Sequence, residues 1–244
     1  VGDNNATVIQ GPDGWRVPKY WSNGYLSRYA EFGLALGQRY RNDPRLDWVG
    51  IGTGMYGETI PADNVDDALL QQYGLTSARW VETANIITDL YIQAFSENGV
   101  LKKRLLLQNG PFFLDASERK AFSAYATERG IGLSVNALFT DGNSLVRQND
   151  PACPGCGQYD PLIQNWHRVP IAFEMYLTTL PTPTDFYWGM LNALDKHTDY
   201  ARLRRQFLRS DDTGLDQPDF LQLMNYFAPF FGAKLNNTPS IWVA

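Results

Sequence analysis

A repeated alternation of short apolar runs and amphipathic helices is the feature that most constrains this fold. A helix is predicted over residues 22–41, and a strand followed by a helix is then predicted five times in succession. The first of these helices is predicted to run from Thr76 or Ser77 to about Asn98, with Gly99 as its stop. The predicted strands are residues 46–52, 103–109, 131–139, 169–176 and 199–205. Such alternation implies parallel strands joined by right-handed crossovers. Because the strands are short and mostly apolar, we expect helices to cover both faces of the sheet.

Two architectures satisfy this alternation: part of a (β/α)8 TIM barrel, or an open parallel α/β sheet. A nucleotide-binding sheet is disfavoured, although Gly52, Gly54 and Gly57 resemble a phosphate-binding loop. Glu58 and a long loop follow these glycines, where a phosphate loop would lead directly into a helix. We predict an irregular segment at 1–21, a partial barrel domain at 22–235, and a tail at 236–244 that leads toward a further segment.

The composition and charge of the chain favour a globular protein and disfavour nucleic-acid binding. The chain has 244 residues, of which 44% are hydrophobic and 19% charged, values typical of a globular protein. Its net charge is −5 and it has no basic cluster, so nucleic-acid binding is not expected. No apolar run has the length of a membrane span.

The cysteines, Cys153 and Cys156, lie in a loop rich in turn-forming residues. We expect them to form a disulfide, with reduced thiols and metal or redox chemistry as the alternatives. A zinc site needs about four ligands, and His167 and His197 show no ligand spacing, so we predict no metal and no cofactor. A disulfide would favour a secreted or cell-surface location.

Two glutamates end two of the predicted strands, each close to a tyrosine. Glu58 follows the first strand with Tyr56 nearby, and Glu174 lies near the end of the fourth with Tyr176. Between them, the second strand ends at Asn109 and the third contains Asn136. In barrels of this type the carboxyl ends of the strands carry the chemistry. Each glutamate alone could equally be a salt-bridged residue at the rim.

Paired carboxylates are the groups that glycoside hydrolysis requires. One carboxyl group protonates the leaving oxygen, and an ionised carboxylate acts as nucleophile or activates water. We expect Tyr56, Asn109, Asn136 and Tyr176 to bind sugar hydroxyls or to orient the second carboxylate. Glycines around Glu58 would let backbone and substrate approach closely.

The segment 40–58 and the later "LNALDKHTDY" resemble uncharacterised bacterial barrels of the β-galactosidase-like kind, within the large clan of (β/α)8 glycoside hydrolases with two catalytic glutamates. The resemblance covers roughly residues 18–231 and identifies the predicted strands as barrel strands 4–8. It implies that Glu58 is the acid/base and Glu174 the nucleophile. It also implies that another polypeptide or an unseen segment supplies strands 1–3.

The sequence therefore predicts a glycoside hydrolase, or the catalytic half of one, that cleaves a β-linked oligo- or polysaccharide. The alternative is a non-catalytic carbohydrate-binding or structural cell-surface protein on the same scaffold, since fold does not fix function. A different enzyme on an α/β sheet is the remaining possibility.

Overall fold

The structure, a computed structural model, describes residues 8–11, 14, 16–62, 67–110, 112–136, 138–140, 153–175, 180–209 and 217–232. The chain divides into two compact units, Val1–Ile131 and Gly132–Ala244. The domain predicted at 22–235 spans both units.

The first unit contains helices and strands that alternate after a short N-terminal hairpin. Its helices are α1 (Asn23–Tyr40), α2 (Asp67–Gln72), α3 (Ser77–Phe95) and α4 (Ser117–Glu128). Its strands are β1 (Val8–Gln10), β2 (Arg16–Pro18), β3 (Trp48–Ile51), β4 (Ser96–Glu97), β5 (Val100–Leu101) and β6 (Arg104–Gln108).

Strands β3 and β6 form a parallel pair, with Ile51 opposite Leu107 at the carboxyl end. All of β6 except Arg104 is buried, as expected for a strand with both faces covered. Helices α1 and α3 pack so closely that a side chain at Gly37 would overlap the Ala94 carbonyl oxygen. Glycine at position 37 therefore permits this packing. The side chains of Ser22 and Thr76 cap these two helices.

Two small antiparallel sheets in this unit differ from the sequence-based expectation. β1 pairs with β2 inside the segment predicted to be irregular. β4 pairs with β5 where α3 was expected to continue to Asn98. Asn98 and Gly99 both have positive φ, 53° and 75°, which is the conformation of a two-residue hairpin turn.

The second unit contains the remaining parallel strands. Its strands are β7 (Gly132–Val135), β8 (Ile171–Glu174) and β9 (Tyr200–Arg202), and its helices are α5 (Asp160–Asn165), α6 (Pro183–Asp195) and α7 (Pro218–Phe227). β8 lies between β7 and β9 and is parallel to both. A capping box of Thr182 and Asp185 starts α6.

The predicted α/β class is confirmed, with shorter elements than the sequence suggested. β7 ends at Val135 and β9 at Arg202, so Asn136 lies just beyond its strand. The apolar residues that follow Asn136 led the prediction to extend this strand to 139.

The structure joins Cys153 and Cys156 in a disulfide that closes a short turn before α5. Within the turn, the Cys156 N–H donates to the Cys153 carbonyl at 3.0 Å, and Cys156 is buried.

Candidate active site

The glycine-rich segment after β3 folds into a loop closed by main-chain hydrogen bonds. The Gly54 N–H donates to the Glu58 carbonyl at 2.8 Å, and the Met55 N–H donates to the Ile60 carbonyl at 2.9 Å. Tyr56 and Gly57 both have positive φ, 58° and 82°, which lets the chain reverse within this loop. These hydrogen bonds hold the Glu58 backbone in a fixed position within the loop.

Two glycines of this loop lie close to other atoms of the first unit. A side chain at Gly54 would overlap the Ile60 carbonyl oxygen. A Cβ at Gly52 would lie 3.0 Å from the Tyr29 hydroxyl, whose proton is donated to the Gly52 carbonyl. Burial, reinforced by the neighbouring Tyr91 hydroxyl, raises the pKa of Tyr29 above its usual range. Tyr29 therefore stays a neutral donor that holds the carboxyl end of β3.

Glu58 is half-buried and lies against the segment that follows β6. A Cβ at Gly110 would lie 3.5 Å from Glu58 Oε2, so the carboxyl group lies beside Gly110 and would touch any side chain there. The next residue, Thr59, is fully buried, and its hydroxyl accepts from the Gly110 N–H at 3.2 Å. Its carbonyl accepts from Trp80 Nε1 at 3.0 Å. These bonds connect the Glu58 loop both to the end of β6 and to α3.

Buried polar groups cluster beside this loop. Asn109 is 0% exposed, and neither atom of its amide has a hydrogen-bond partner in the described part of the chain. The same holds for the Thr53 hydroxyl and for Gln108 Nε2. Thr53 and Asn109 each come two residues after the opposed pair Ile51 and Leu107, beyond the carboxyl end of this strand pair. Among the described residues, this end of the pair therefore holds buried polar groups without a hydrogen-bond partner.

Glu174 ends β8 and forms an ion pair with Arg202 on β9. The two residues are opposite each other in register, and Arg202 NH1 lies 2.9 Å from Oε1 and 3.0 Å from Oε2. We expected a tyrosine or an amide to orient this carboxylate; the observed donor is a guanidinium, which stays protonated in proteins. The Glu174 side chain is 26% exposed, so it remains accessible to solvent.

Asn136 lies next to Glu174 in the second unit. It directly follows β7, whose last residue, Val135, is opposite Phe173. Two residues further on, the Leu138 N–H donates to the Glu174 carbonyl at 3.2 Å. The chain that carries Asn136 therefore runs beside the end of β8.

The other two predicted site residues are tyrosines. Tyr56 is 76% exposed at the tip of the Glu58 loop. Tyr176 lies outside the described residues.

Within each unit the structure brings predicted site residues together. In the first unit, Glu58 lies beside Gly110, the residue next to Asn109, and in the second, Asn136 lies beside Glu174. Glu58 and Glu174 belong to different units, and their catalytic pairing stays a prediction. Thr59 and Arg202 were not among the predicted site residues, because the contact of Thr59 arises from the conformation of the loop and that of Arg202 from strand register.

The described segments show neither a metal-binding cluster nor a membrane-spanning helix. No group of three or more His, Cys, Asp or Glu side chains there is arranged to hold a metal ion. No helix in these segments combines the length and the apolar character needed to cross a bilayer.

A solved structure with a similar fold is the catalytic domain of a β-amylase from Paenibacillus polymyxa. The two chains are 11% identical and superpose with a TM-score of 0.57 over 93% of this chain and 74% of the β-amylase domain. No family model matches the sequence, and no curated protein matches it. At this identity the likeness concerns the fold, and it shows that the chain has the α/β fold of a partial (β/α)8 barrel.

Proposed function

We propose that this protein is a glycoside hydrolase that acts on an oligo- or polysaccharide, with Glu58 as acid/base and Glu174 as nucleophile. The proposal rests on one observation: two glutamates follow parallel strands at their carboxyl ends, in a chain whose fold resembles a glycoside hydrolase barrel. That end of the strands is where barrel enzymes carry their chemistry. A β-linked substrate is the expectation that the sequence resemblance adds.

The roles of the two carboxyl groups come from the sequence resemblance, and their surroundings differ. Both are half-buried. Glu58 lies beside Gly110, after the end of β6, whereas Glu174 is bonded to the Arg202 guanidinium, a permanent cation. In the proposed reaction, Glu58 gives its proton to the glycosidic oxygen while Glu174 attacks the anomeric carbon. Glu58 then takes a proton from the water that releases the sugar.

Hydrolysis assays on the full chain test the proposal. Nitrophenyl glycosides of both anomers and soluble β-glucan, xylan, galactomannan and starch form the substrate panel. We expect hydrolysis of at least one substrate, and a loss of about 10³-fold or more in Glu174→Gln. Glu128→Gln, which changes an exposed glutamate on α4, is the matched control. Absence of hydrolysis on the whole panel, or full activity in Glu174→Gln, would overturn the proposal.

A non-catalytic carbohydrate-binding protein is the second candidate. The Arg202–Glu174 ion pair favours it, because a salt-bridged glutamate at a strand end needs no catalytic explanation. Sugar binding without turnover, unchanged in Glu174→Gln, would support this alternative. The Cys153–Cys156 disulfide supports a secreted or cell-surface location for either function.

A further inference from the structure

Arginines concentrate in one short segment at the end of β9, although the chain as a whole is acidic. Four of the eight residues at 202–209 are arginine, whereas the net charge of the whole chain is −5. Arg202 ends β9, Arg204 has an extended backbone, and Arg205 begins a short 3-10 helix. These three residues are exposed. The segment therefore brings positive charge to the strand end that lies opposite Glu174.

Arg202 uses only part of its guanidinium group to hold Glu174. Both contacts with the carboxylate come from Nη1. Nε and Nη2 make no hydrogen bond to a described residue, and the Arg202 side chain is 63% exposed. Because a guanidinium group carries N–H donors on each of its nitrogens, Arg202 keeps donors for a ligand that lies next to Glu174.

Arg204 and Arg205 carry charges that the protein itself does not match. Their guanidinium groups form no ion pair or hydrogen bond with the part of the chain that the structure describes. Arg204 comes two residues after Arg202 and is itself extended, with φ −77° and ψ 149°. Alternate residues of an extended chain share one side, so we expect Arg204 on the same side as Arg202.

A buried phenylalanine anchors the backbone of this arginine segment. Phe207 is 1% exposed, and its ring packs against Phe186 of α6 at 5.2 Å and against Phe220 of α7 at 4.8 Å. The Phe207 N–H donates to the Arg204 carbonyl at 3.2 Å. The guanidinium groups therefore extend from a backbone that packing already holds, which reduces the ordering that a ligand must impose.

This chemistry suits a sugar that carries a carboxylate. The planar guanidinium fork matches the two oxygens of a carboxylate. A neutral sugar would leave the charges of Arg204 and Arg205 unmatched. Nucleic acids and polysulfates are disfavoured, because they bring a dense negative charge to a chain of net charge −5. Charges on a strand at the edge of a sheet can also serve only to prevent pairing with another chain, and the experiment below separates the two roles.

We propose that Arg202 and Arg204, assisted by Arg205, bind the carboxylate of a uronate, so that the substrate is an acidic oligo- or polysaccharide. This substrate class rests on the proposed function, because the uronate is the sugar that Glu174 attacks. In a uronate ring the carboxylate is carried by the carbon on the other side of the ring oxygen from the anomeric carbon. A guanidinium group that contacts the nucleophile can therefore reach it. Arg202 holds Glu174 through Nη1 and the substrate carboxylate through Nε and Nη2.

Binding of the full chain to uronate polymers, measured by titration calorimetry, tests this proposal. Hyaluronan, alginate and polygalacturonate supply the carboxylate, and their carboxyl-reduced forms lack it. Dextran sulfate and single-stranded DNA supply other anions. Arg204→Gln and Arg205→Gln are the variants, and Arg28→Gln, at an exposed arginine of α1, is the matched control.

We expect at least one uronate polymer to bind the wild-type chain and the control, and its carboxyl-reduced form to bind much more weakly. The apparent affinity should fall about tenfold in Arg204→Gln, equivalent to about 1.4 kcal/mol, and less in Arg205→Gln. Added salt should weaken the binding, because exposed charges are screened. Among nitrophenyl glycosides, the glucuronide should be hydrolysed faster than the glucoside, and this preference should shrink in Arg204→Gln.

The outcomes separate this proposal from the proposed function. Absence of binding to every uronate polymer would overturn the uronate site, even in a chain that hydrolyses neutral glycosides. Binding that both variants leave intact would also overturn it and would assign the arginines to protection of the strand edge. Tighter binding of dextran sulfate or DNA than of every uronate polymer would assign them to another anion and overturn the uronate. Uronate binding that Arg204→Gln weakens, in a chain that hydrolyses nothing, would support the site and contradict the proposed function.

Discussion

The two candidate carboxylates are held in place by different physical means. The position of Glu58 depends on a loop closed by backbone hydrogen bonds and on Gly54, where a side chain would overlap the Ile60 carbonyl oxygen. The position of Glu174 depends on strand register, and its charge is matched by Arg202 on the neighbouring strand.

This difference shows which changes each carboxylate can tolerate. Substitutions that change the loop should displace Glu58 while leaving the strands intact. Substitutions of Arg202 should leave the backbone of Glu174 unchanged and remove the cation beside it. The two carboxylates can therefore be perturbed separately. Substituting the glutamates themselves tests their roles in the reaction, and substituting Arg202 or the residues of the loop tests what holds each glutamate in place.

Leaving-group dependence should separate the two glutamates most strongly. With substrates whose leaving group needs protonation, such as an alkyl alcohol or a sugar, Glu58→Ala should lose about 10²–10⁴-fold in turnover. With a nitrophenolate leaving group, which departs without a proton, the loss in the glycosylation step should be much smaller. Glu174→Ala should be impaired about equally with both kinds of substrate. Steady-state kinetics across a series of leaving groups measures this, and equal dependence in the two variants would contradict the assigned roles.

Arg202→Met tests whether the ion pair serves catalysis or only the strand end. Hydrogen bonds to charged groups contribute about 1.5–3 kcal/mol, so turnover should fall about tenfold to a hundredfold. The free energy of unfolding should change by less than about 1 kcal/mol, because Arg202 is largely exposed. Arg202→Lys should recover part of the turnover. Full activity in Arg202→Met would show that the ion pair supports only the strand end and does not assist catalysis.

Gly54→Ala tests the loop that carries Glu58. The new methyl group would overlap the Ile60 carbonyl oxygen, so the loop must move. We expect the free energy of unfolding to fall by about 1–3 kcal/mol, measured by urea denaturation. Gly50→Ala is the matched control, because a Cβ there has its nearest neighbour, Trp48, at 4.0 Å. Equal stability of the two variants would show that the loop adapts without cost.

Thr59→Val tests the bond between the Glu58 loop and β6. Valine keeps the shape of threonine but cannot accept from the buried Gly110 N–H. We expect a loss of about 1–2 kcal/mol in unfolding free energy. Thr59→Ser retains the hydroxyl and should restore the amide's protection from hydrogen exchange. Unchanged exchange at Gly110 in Thr59→Val would contradict the assigned role of the hydroxyl.

The elements with strong local signals could be predicted from the sequence. The apolar period placed α1 and α3 within a few residues of their observed bounds, and the start of α3 was also indicated by Thr76 or Ser77 as its cap. The β4–β5 hairpin was missed, because Asn98 and Gly99 were interpreted as the end of a helix. The same two residues also favour a hairpin turn. Only the pairing of the short flanking strands distinguishes the hairpin turn from the end of a helix.

The candidate site was predictable only in part, because strand ends have a local signal in the sequence and contacts between segments do not. An apolar run followed by a carboxylate identifies a strand end, which was sufficient to select Glu58 and Glu174. The partner of Glu174 could not be foreseen, because it depends on which residue of β9 lies opposite. The contact of Gly54 with Ile60 likewise arises from the conformation of the loop and has no signature in the sequence.

Lys196 offers a contrast to the exposed cation of Arg202 within the same unit. Its side chain is 0% exposed, and Nζ donates to Asn192 Oδ1 at 2.7 Å and to Asp195 Oδ2 at 3.1 Å. The ring of Tyr159 lies 5.0 Å from Nζ. Burial lowers the pKa of Lys196 from 10.5, and the Asp195 carboxylate opposes this shift.

The lowered pKa of Lys196 predicts a pH dependence of stability with a definite sign. Between the lowered folded-state pKa and 10.5, the unfolded chain binds more protons at this lysine than the folded chain does, so its contribution to the free energy of unfolding rises with pH. Tyr20, Tyr25 and Tyr29, whose pKa values are raised mainly by burial, contribute in the opposite direction above pH 10. The difference between the wild-type chain and Lys196→Met, measured by urea denaturation at a series of pH values, cancels these tyrosines. It should move in favour of the wild type as pH approaches 10.5, whereas Lys120→Met, at an exposed lysine of α4, should show a smaller change. A constant difference would mean that Lys196 titrates alike in the folded and unfolded chains, and that its burial does not disfavour its charge.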